Sequence, residues 1–303
     1  MDKKSQESML QESVLFVGDV MRDIIVKPDG DLRIGSDRAA KIAMKHGGSA
    51  ANQAVWLAAT GQRVKLVARI GETGAQQLEQ RFKEKNIETV FTVDEGHETG
   101  MLVAIIGQDG ERSFYTDRGA NLALNIGDIP KDILDNVGLV MLSGYSFFAK
   151  GPREVVAQIM AWAKDKKIPV AIDPASAGFI KDAGVKQFLG WIKGATLLLL
   201  NLEEAELLSG EKTLARQLVV LSELFDLVVI KQGAKGASAL DEKGMMIEVD
   251  APDVKTVDST GAGDAFAAGF IRAYLGEKSL INCLEAGVAN GSMAVTQMGS
   301  QPE

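Results

Sequence analysis

Short apolar runs alternate with amphipathic stretches along most of this chain. Residues 14–17, 64–70, 138–142, 168–173, 196–201 and 226–231 are apolar runs of strand length bounded by Gly, Asp or Asn, the pattern of strands buried on both faces. Residues 74–85, 151–166, 182–190, 202–209 and 213–225 carry helical patterning between them, and 265–275 and 279–295 predict two closing helices. Strand–helix alternation predicts an α/β fold built on a doubly wound, mostly parallel sheet.

Two regions break the alternation. Residues 24–26 and 41–45 read as short strands around a polar loop. Residues 101–106 and 112–116 do the same around Gln108-Asp109-Gly110, and Asp-Gly between β runs signals a hairpin. Together they predict a second, small sheet formed by about 23–46 and 90–117 within one domain spanning 13–303. A small sheet cannot bury both of its faces by itself. One face is expected to lie over a binding site as a lid, and the other to meet a second subunit in a homodimer.

Composition narrows the function classes. With 46% hydrophobic and 24% charged residues the chain is an ordinary globular one, and a net charge of −8 argues against nucleic acid as a partner. No apolar run approaches the roughly 20 residues of a membrane span. Residues 1–13 are polar and lack the apolar core of a signal peptide. A single cysteine excludes an intrachain disulfide, and two histidines make a Cys/His metal site implausible. These features predict a cytoplasmic protein.

The candidate chemistry centres on Asp258-Ser259-Thr260-Gly261-Ala262-Gly263-Asp264. Gly261, Ala262 and Gly263 allow a tight turn and leave their amides uncovered at the start of the 265–275 helix, where the dipole favours an anion. A carboxylate there would repel phosphate if the loop only bound it. Asp264 fits as a base taking a proton from a hydroxyl beside the anion, the equipment for phosphoryl transfer to an alcohol. The alternative is a Gly-rich turn with Asp as an ordinary cap.

Other candidates lie at predicted strand ends. Asp23 could hold sugar hydroxyls or cap a turn. Gly47-Gly48-Ser49 enters an Ala-rich helix, with Asn52 pointing back at a ligand or bonding locally. Asp173 before Pro174 lines the site or only starts a turn. Glu204, three residues after Asn201, could reach magnesium through water, or the two could cap a helix. Lys231, Gly233 and Gly236 form a candidate phosphate loop or a plain strand–turn–strand. Gly287, Ala289 and Gly291 make room for a flat base or for helix packing.

With these motifs in order, the chain resembles the ribokinase-like, or PfkB, family of carbohydrate kinases. Gly47 to Ala54, with Gly61 and Gly71, and Asp258 to Ile271 carry the resemblance, supported by Asn201/Glu204 and Gly233/Gly236. It implies ATP and magnesium as cofactors, Asp264 as general base and an anion hole at Gly261, Ala262, Gly263 and Asp264. It implies that Asn201 and Glu204 organise magnesium and phosphate and that Gly233 and Gly236 hold the nucleotide, with Lys231, a candidate contact in the same loop, standing where the family commonly has Thr. Asp23, Gly47, Gly48 and Asn52 are then sugar contacts, and Asp258 and Thr260 ligands of a potassium ion.

Ribokinases usually carry Asn where Met21 stands, Lys where Ser49 stands and Glu near Gly144, so ribose is not favoured. The segment 18–23 is similar to the start of heptose-phosphate kinases, where Arg22 and Arg118 could bind an acceptor phosphate. Phe147 and Phe148 could instead stack on a base, as in nucleoside kinases of the family. The sequence therefore reads as an ATP-dependent kinase of a sugar or sugar derivative. A nucleoside kinase and a non-catalytic sugar-binding or regulatory protein on the same fold are the rivals. A dinucleotide-dependent dehydrogenase is disfavoured, because Gly18 opens no G-x-G-x-x-G.

Overall fold

The computed structural model describes residues 12–31, 33–107 and 112–302. The Gln108-Asp109-Gly110 turn and nearly all of the polar N-terminal stretch lie outside them. In chain order the elements are β1 (Ser13–Val17), β2 (Met21–Pro28), β3 (Ala40–Gly47), α1 (Ser49–Ala59), β4 (Val64–Gly71), α2 (Ala75–Glu84), β5 (Ile87–Asp94), β6 (Thr99–Ile106), β7 (Arg112–Gly119), β8 (Val137–Ser143), α3 (Lys150–Asp165), β9 (Val170–Asp173), α4 (Ala177–Ala183), α5 (Val185–Trp191), β10 (Leu197–Asn201), α6 (Leu202–Ser209), α7 (Leu214–Ser222), β11 (Leu227–Lys231), β12 (Ala237–Leu240), β13 (Met246–Val249), α8 (Ala262–Leu275) and α9 (Leu280–Ala294).

The large sheet runs β13-β12-β11-β10-β9-β8-β1-β4-β5. It is parallel from β5 to β11, and β12 and β13 return antiparallel. Alternate residues of each central strand feed opposite faces. Val14, Phe16, Leu139, Met141 and Leu199 pack with α1, α8 and α9. Leu15, Val17, Val140, Leu142 and Leu200 pack with α3 to α7. Burial on both faces is why these strands read as unbroken apolar runs. The chain leaves β1 toward β4 on one side and reaches β8 on the other. The carboxyl ends of β1 and β8 therefore mark a topological switch point, where open α/β sheets bind ligands.

The small sheet runs β3-β2-β6-β7, with β2 parallel to β6 and the outer pairs antiparallel. Asn121 ties it to the large sheet: its side chain accepts from the Val20 amide at 3.0 Å and donates to the Val20 carbonyl at 3.0 Å.

Three details differ from the sequence reading, and a fourth selects between two alternatives it left open. Residues 87–94 form an edge strand of the large sheet, paired with β4, so the second lid segment starts at Thr99 rather than near 90. The single helix expected over 182–190 is two short helices split at Gly184, whose φ of 90° no helix accommodates. Helix α8 begins at Ala262, which puts Asp264 inside its first turn rather than ahead of it. A Cβ at Gly287 would lie 2.9 Å from the Phe266 ring, so the small residues of α9 serve packing on α8.

Candidate active site

A cavity of about 310 Å³ opens between the inner face of the lid and the carboxyl ends of the parallel strands. Asp264 lies in its wall. Both carboxylate oxygens are held: Oδ1 accepts from Ser49 Oγ at 2.9 Å and Gln53 Nε2 at 3.1 Å, and Oδ2 accepts from Asn52 Nδ2 at 3.0 Å. All three donors come from the first turns of α1, which Gly48 starts with a φ of 95°. A Cβ on Gly48 would strike the Asp19 carbonyl at 2.3 Å. Burial, and then the charge of Asp173, push the Asp264 carboxyl up to about 7, against the Asn52 and Ser49 hydrogen bonds.

Asn52 was expected to contact sugar. It lines the cavity, and its other end accepts from Ser300 Oγ and Gln301 Nε2, both at 3.1 Å. Gln301 accepts in turn from Arg81 Nη2 at 2.7 Å. Asn52 is a buried bridge between the C-terminal segment and Asp264. Ser49 and Gln53, as holders of the carboxylate, were missed by the sequence reading. The hint was that Asn52 and Gln53 lie one turn beyond a glycine pair.

Of the proposed anion-hole amides, that of Ala262 bonds the Ser259 carbonyl at 3.3 Å. Those of Gly263 and Asp264 lie in the first turn of α8, which has no preceding helical carbonyls to accept them. Beside them stands Lys231, whose Nζ lies 3.4 Å from the position of a Cβ on Gly263 and 2.7 Å from Asp173 Oδ2. Burial works against the Lys231 charge, but Asp173 and Glu204 outweigh it and its pKa is raised. Asp173 also accepts from the Ala175 amide, so it both starts a turn and lines the cavity.

Asn201 and Glu204 cap α6 reciprocally: each side chain accepts from the other's amide at 2.9 Å. Glu204 nevertheless faces the cavity. Its carboxyl is pushed up to about 7 by burial and then by Asp173. Two carboxylates crowded in a dry site are a donor set that a cation relieves.

On the lid side, Asp23 Oδ1 is buried with no hydrogen-bond partner, and burial raises the carboxyl to about 6. Gly47 makes that placement possible, since a Cβ there would meet Asp23 Oδ2 at 2.0 Å. Lys45 and Thr116 also line the cavity from the lid, whose inner face is otherwise mostly apolar: Ile25, Leu102, Ala104, Ile106 and Phe114. Across from it, Tyr145 and Phe179 form an edge-to-face pair with centroids 5.6 Å apart.

Two expectations for the acceptor change, and a third gains a constraint. Arg118 lines the cavity, but its guanidinium is engaged there, binding Asp19 bidentately at 2.7 and 2.8 Å with both side chains buried. Arg22 turns away to the Thr73 carbonyl. Phe147 is fully buried, and Phe148 stacks on Phe179 and Phe188 outside the cavity, so the rings that line it are Tyr145, Phe179 and Phe114.

Asp258 is buried, and its oxygens accept from the amides of Thr260 at 2.8 Å and Gly299 at 3.0 Å. That carboxylate joins the two loops flanking α8 and α9. Gly233 and Gly236 sit at the carboxyl end of β11, outside the cavity, in the turn joining β11 to β12. Gly236 is required there because a Cβ would lie 1.8 Å from the Val249 carbonyl.

Comparison with known proteins adds family evidence. The pfkB family carbohydrate kinase model matches residues 11–303. The ribokinase of Haemophilus influenzae is 30% identical over 272 residues, covering 84% of this chain and 83% of its own. The 5-dehydro-2-deoxygluconokinase of Lacticaseibacillus casei is 25% identical over 266 residues, covering 84% and 82%. The crystal structure of adenosine kinase from Sinorhizobium meliloti superposes with a TM-score of 0.88 over 96% of each chain, at 21% identity.

Proposed function

This chain belongs to the pfkB family of carbohydrate kinases, and from that premise we propose that it transfers a phosphoryl group from ATP to a hydroxyl of a sugar or sugar derivative, with Asp264 as general base. The observation that carries the proposal is the pairing of a held carboxylate with helix-N-terminal amides in one cavity wall. Asp264 takes the proton of the acceptor hydroxyl, which attacks the γ-phosphorus in line. The amides of Gly263 and Asp264 and the Lys231 ammonium face the charge that develops on the transferring group. Asp23, with its unpartnered oxygen, anchors acceptor hydroxyls. Gly233 and Gly236 take the nucleotide. Magnesium, when bound with the nucleotide, neutralises phosphate charge, and Glu204 and Asn201 would hold it through water. Asp258 and Thr260 would hold a potassium ion beside these amides, with the Asp258 carboxylate already oriented by the amides of Thr260 and Gly299.

The apolar lid face and the rings of Tyr145, Phe179 and Phe114 favour an acceptor with an apolar or aromatic part. That supports a nucleoside as the second reading. On the outer lid face Ile42, Met44 and Tyr115 are 68%, 72% and 67% exposed, which supports a homodimer through that sheet. No helix among the described residues is long and apolar enough to cross a membrane. The cytoplasm, where ATP is held, is the compartment this reading implies.

The test is ADP release from ATP and magnesium, with and without potassium, across pentoses, ketohexoses, sugar acids, sugar phosphates and nucleosides. Turnover concentrated on one acceptor class supports the proposal. A ligand-induced melting shift with no turnover on any acceptor points to the non-catalytic reading.

The pH dependence follows from the Asp264 carboxyl. The base must be ionised, so turnover is expected to fall as pH drops through about 7. Stability is expected to run the other way. The native state binds the proton more tightly than an unfolded chain, whose reference value is 3.8. The stabilising contribution is full below that value and is lost as pH rises through about 7. Parallel rate and melting profiles from pH 5 to pH 9 check both signs. A melting temperature that rises with pH across neutrality would contradict this assignment.

A further inference from the structure

A second, smaller groove lies behind the C-terminal segment, between β3 and α2. Lys45, His46, Arg81 and Lys85 line it, with Met44 and Met298 at its apolar edge. Among the described residues none that lines it is acidic, in a chain whose net charge is −8, and it adjoins the larger cavity through Lys45, Gly299 and Ser300. The nearest carboxylate acting on Arg81 is Glu84, which accepts from Gln80 outside the groove. Two nitrogens here, Arg81 Nε and His46 Nδ1, are buried without a hydrogen-bond partner. An unsatisfied buried donor on a cation is costly, and a native structure that keeps one calls for a group to satisfy it.

The basic groups also work against one another. Burial and then Arg81 lower the Lys85 ammonium, and burial followed by Arg81 and Arg22 lower His46. An anion would relieve both the repulsion and the missing bonds. Arg81 is held for that role, because its Nη2 donates to Gln301 Oε1 at 2.7 Å. A guanidinium fixed at one nitrogen binds an oxyanion with little ordering cost. The groove is about 220 Å³, below the ~300 Å³ at which pockets begin to take drug-sized molecules, so a single small oxyanion group matches its size.

We infer that this groove is an oxyanion site outside the catalytic cleft, taking inorganic phosphate or a terminal phosphoryl group on Arg81, Lys85 and His46. The inference goes beyond the kinase reading and does not depend on it, since binding is measured without turnover. The experiment is calorimetric titration of inorganic phosphate at constant ionic strength, with chloride as the balancing ion. It uses the wild type, the double variant Arg81→Gln/Lys85→Gln, and Lys231→Gln as a control for phosphate in the catalytic cleft. The wild type is expected to bind phosphate, the double variant to bind it at least about tenfold more weakly, and Lys231→Gln to retain the Arg81-dependent component. Absence of binding, unchanged binding in the double variant, or loss of all binding in Lys231→Gln would each overturn the site. Should the double variant not fold, Lys85→Gln takes its place, and unchanged phosphate binding in it would overturn the site. Phosphate is expected to slow amine acylation of Lys85, at the C-terminal end of α2, but not of the exposed Lys83 in its last turn, and equal Lys85 rates with and without phosphate would refute the proposal.

Discussion

Replacing Asp264 by Asn is expected to lower turnover by about a thousandfold, within the range that a positioned general base contributes. The amide cannot take the acceptor's proton, yet it keeps the shape of the side chain. Ser49, Asn52 and Gln53 all direct donors at this position. The new amide can offer its oxygen to Ser49 and Gln53 only by turning its own N–H groups toward Asn52. That mismatch offsets part of the stability gained by removing a buried charge. The variant is expected to fold and to keep a nucleotide-induced melting shift. Its residual rate should lose the acid-side decline that the wild type shows near neutrality. The check is steady-state ADP release beside thermal melting with and without ATP and magnesium. Turnover within a few fold of wild type would remove Asp264 from the role of base and leave its donors as a structural cluster.

Arg118→Ala is expected to cost about 3–5 kcal/mol of stability, because it leaves the Asp19 carboxylate buried without its partner. Arg118 and Asp19 are 6% and 8% exposed as side chains, and both guanidinium bonds are short. The pair fastens the end of β7 to the turn after β1, where the lid meets the large sheet. Asp19→Ala is expected to be costly in the same way, and the double variant should recover much of the loss, since it buries no unpaired charge. Denaturant unfolding of the three variants and the wild type measures the cycle. A phosphate-ligand role for Arg118 predicts the opposite pattern, with a weaker KM for a phosphorylated acceptor and near-normal stability. Near-normal stability of Arg118→Ala together with a raised KM for a phosphorylated acceptor would favour that role.

The local motifs were legible because their chemistry is contained in a few consecutive residues. Gly261 to Asp264 can be read as a helix entry bearing a carboxylate, and Asn201 with Glu204 as both a cap and a cavity acid. The structure shows the cap and places Glu204 in the cavity wall. The partners of those residues were not legible. Ser49 meets Asp264 across 215 positions, Arg118 meets Asp19 across 99, and Lys231 meets Asp173 across 58. Nothing in the spacing of a single chain indicates such pairs, and each changes a role. Arg118 gains a buried fastening onto Asp19, and Asn52 a bridge onto Asp264, while both still line the cavity. Phe147 and Phe148 passed into the packing because a run of aromatics after a strand end does not say which ring turns inward.

The sequence by itself determined the alternation of strands and helices, the interruption that becomes the lid, and the family to which the chain belongs. Backbone geometry imposes a period of two or of 3.6 on whichever residues are to be buried, and that period is written along the chain. Tertiary structure alone decided that residues 87–94 extend the large sheet, which charges neutralise one another, and which carboxyls are held near neutrality. Those outcomes depend on desolvation and on distances of a few ångströms between segments far apart in sequence, quantities that arise only once the sheet has closed the site.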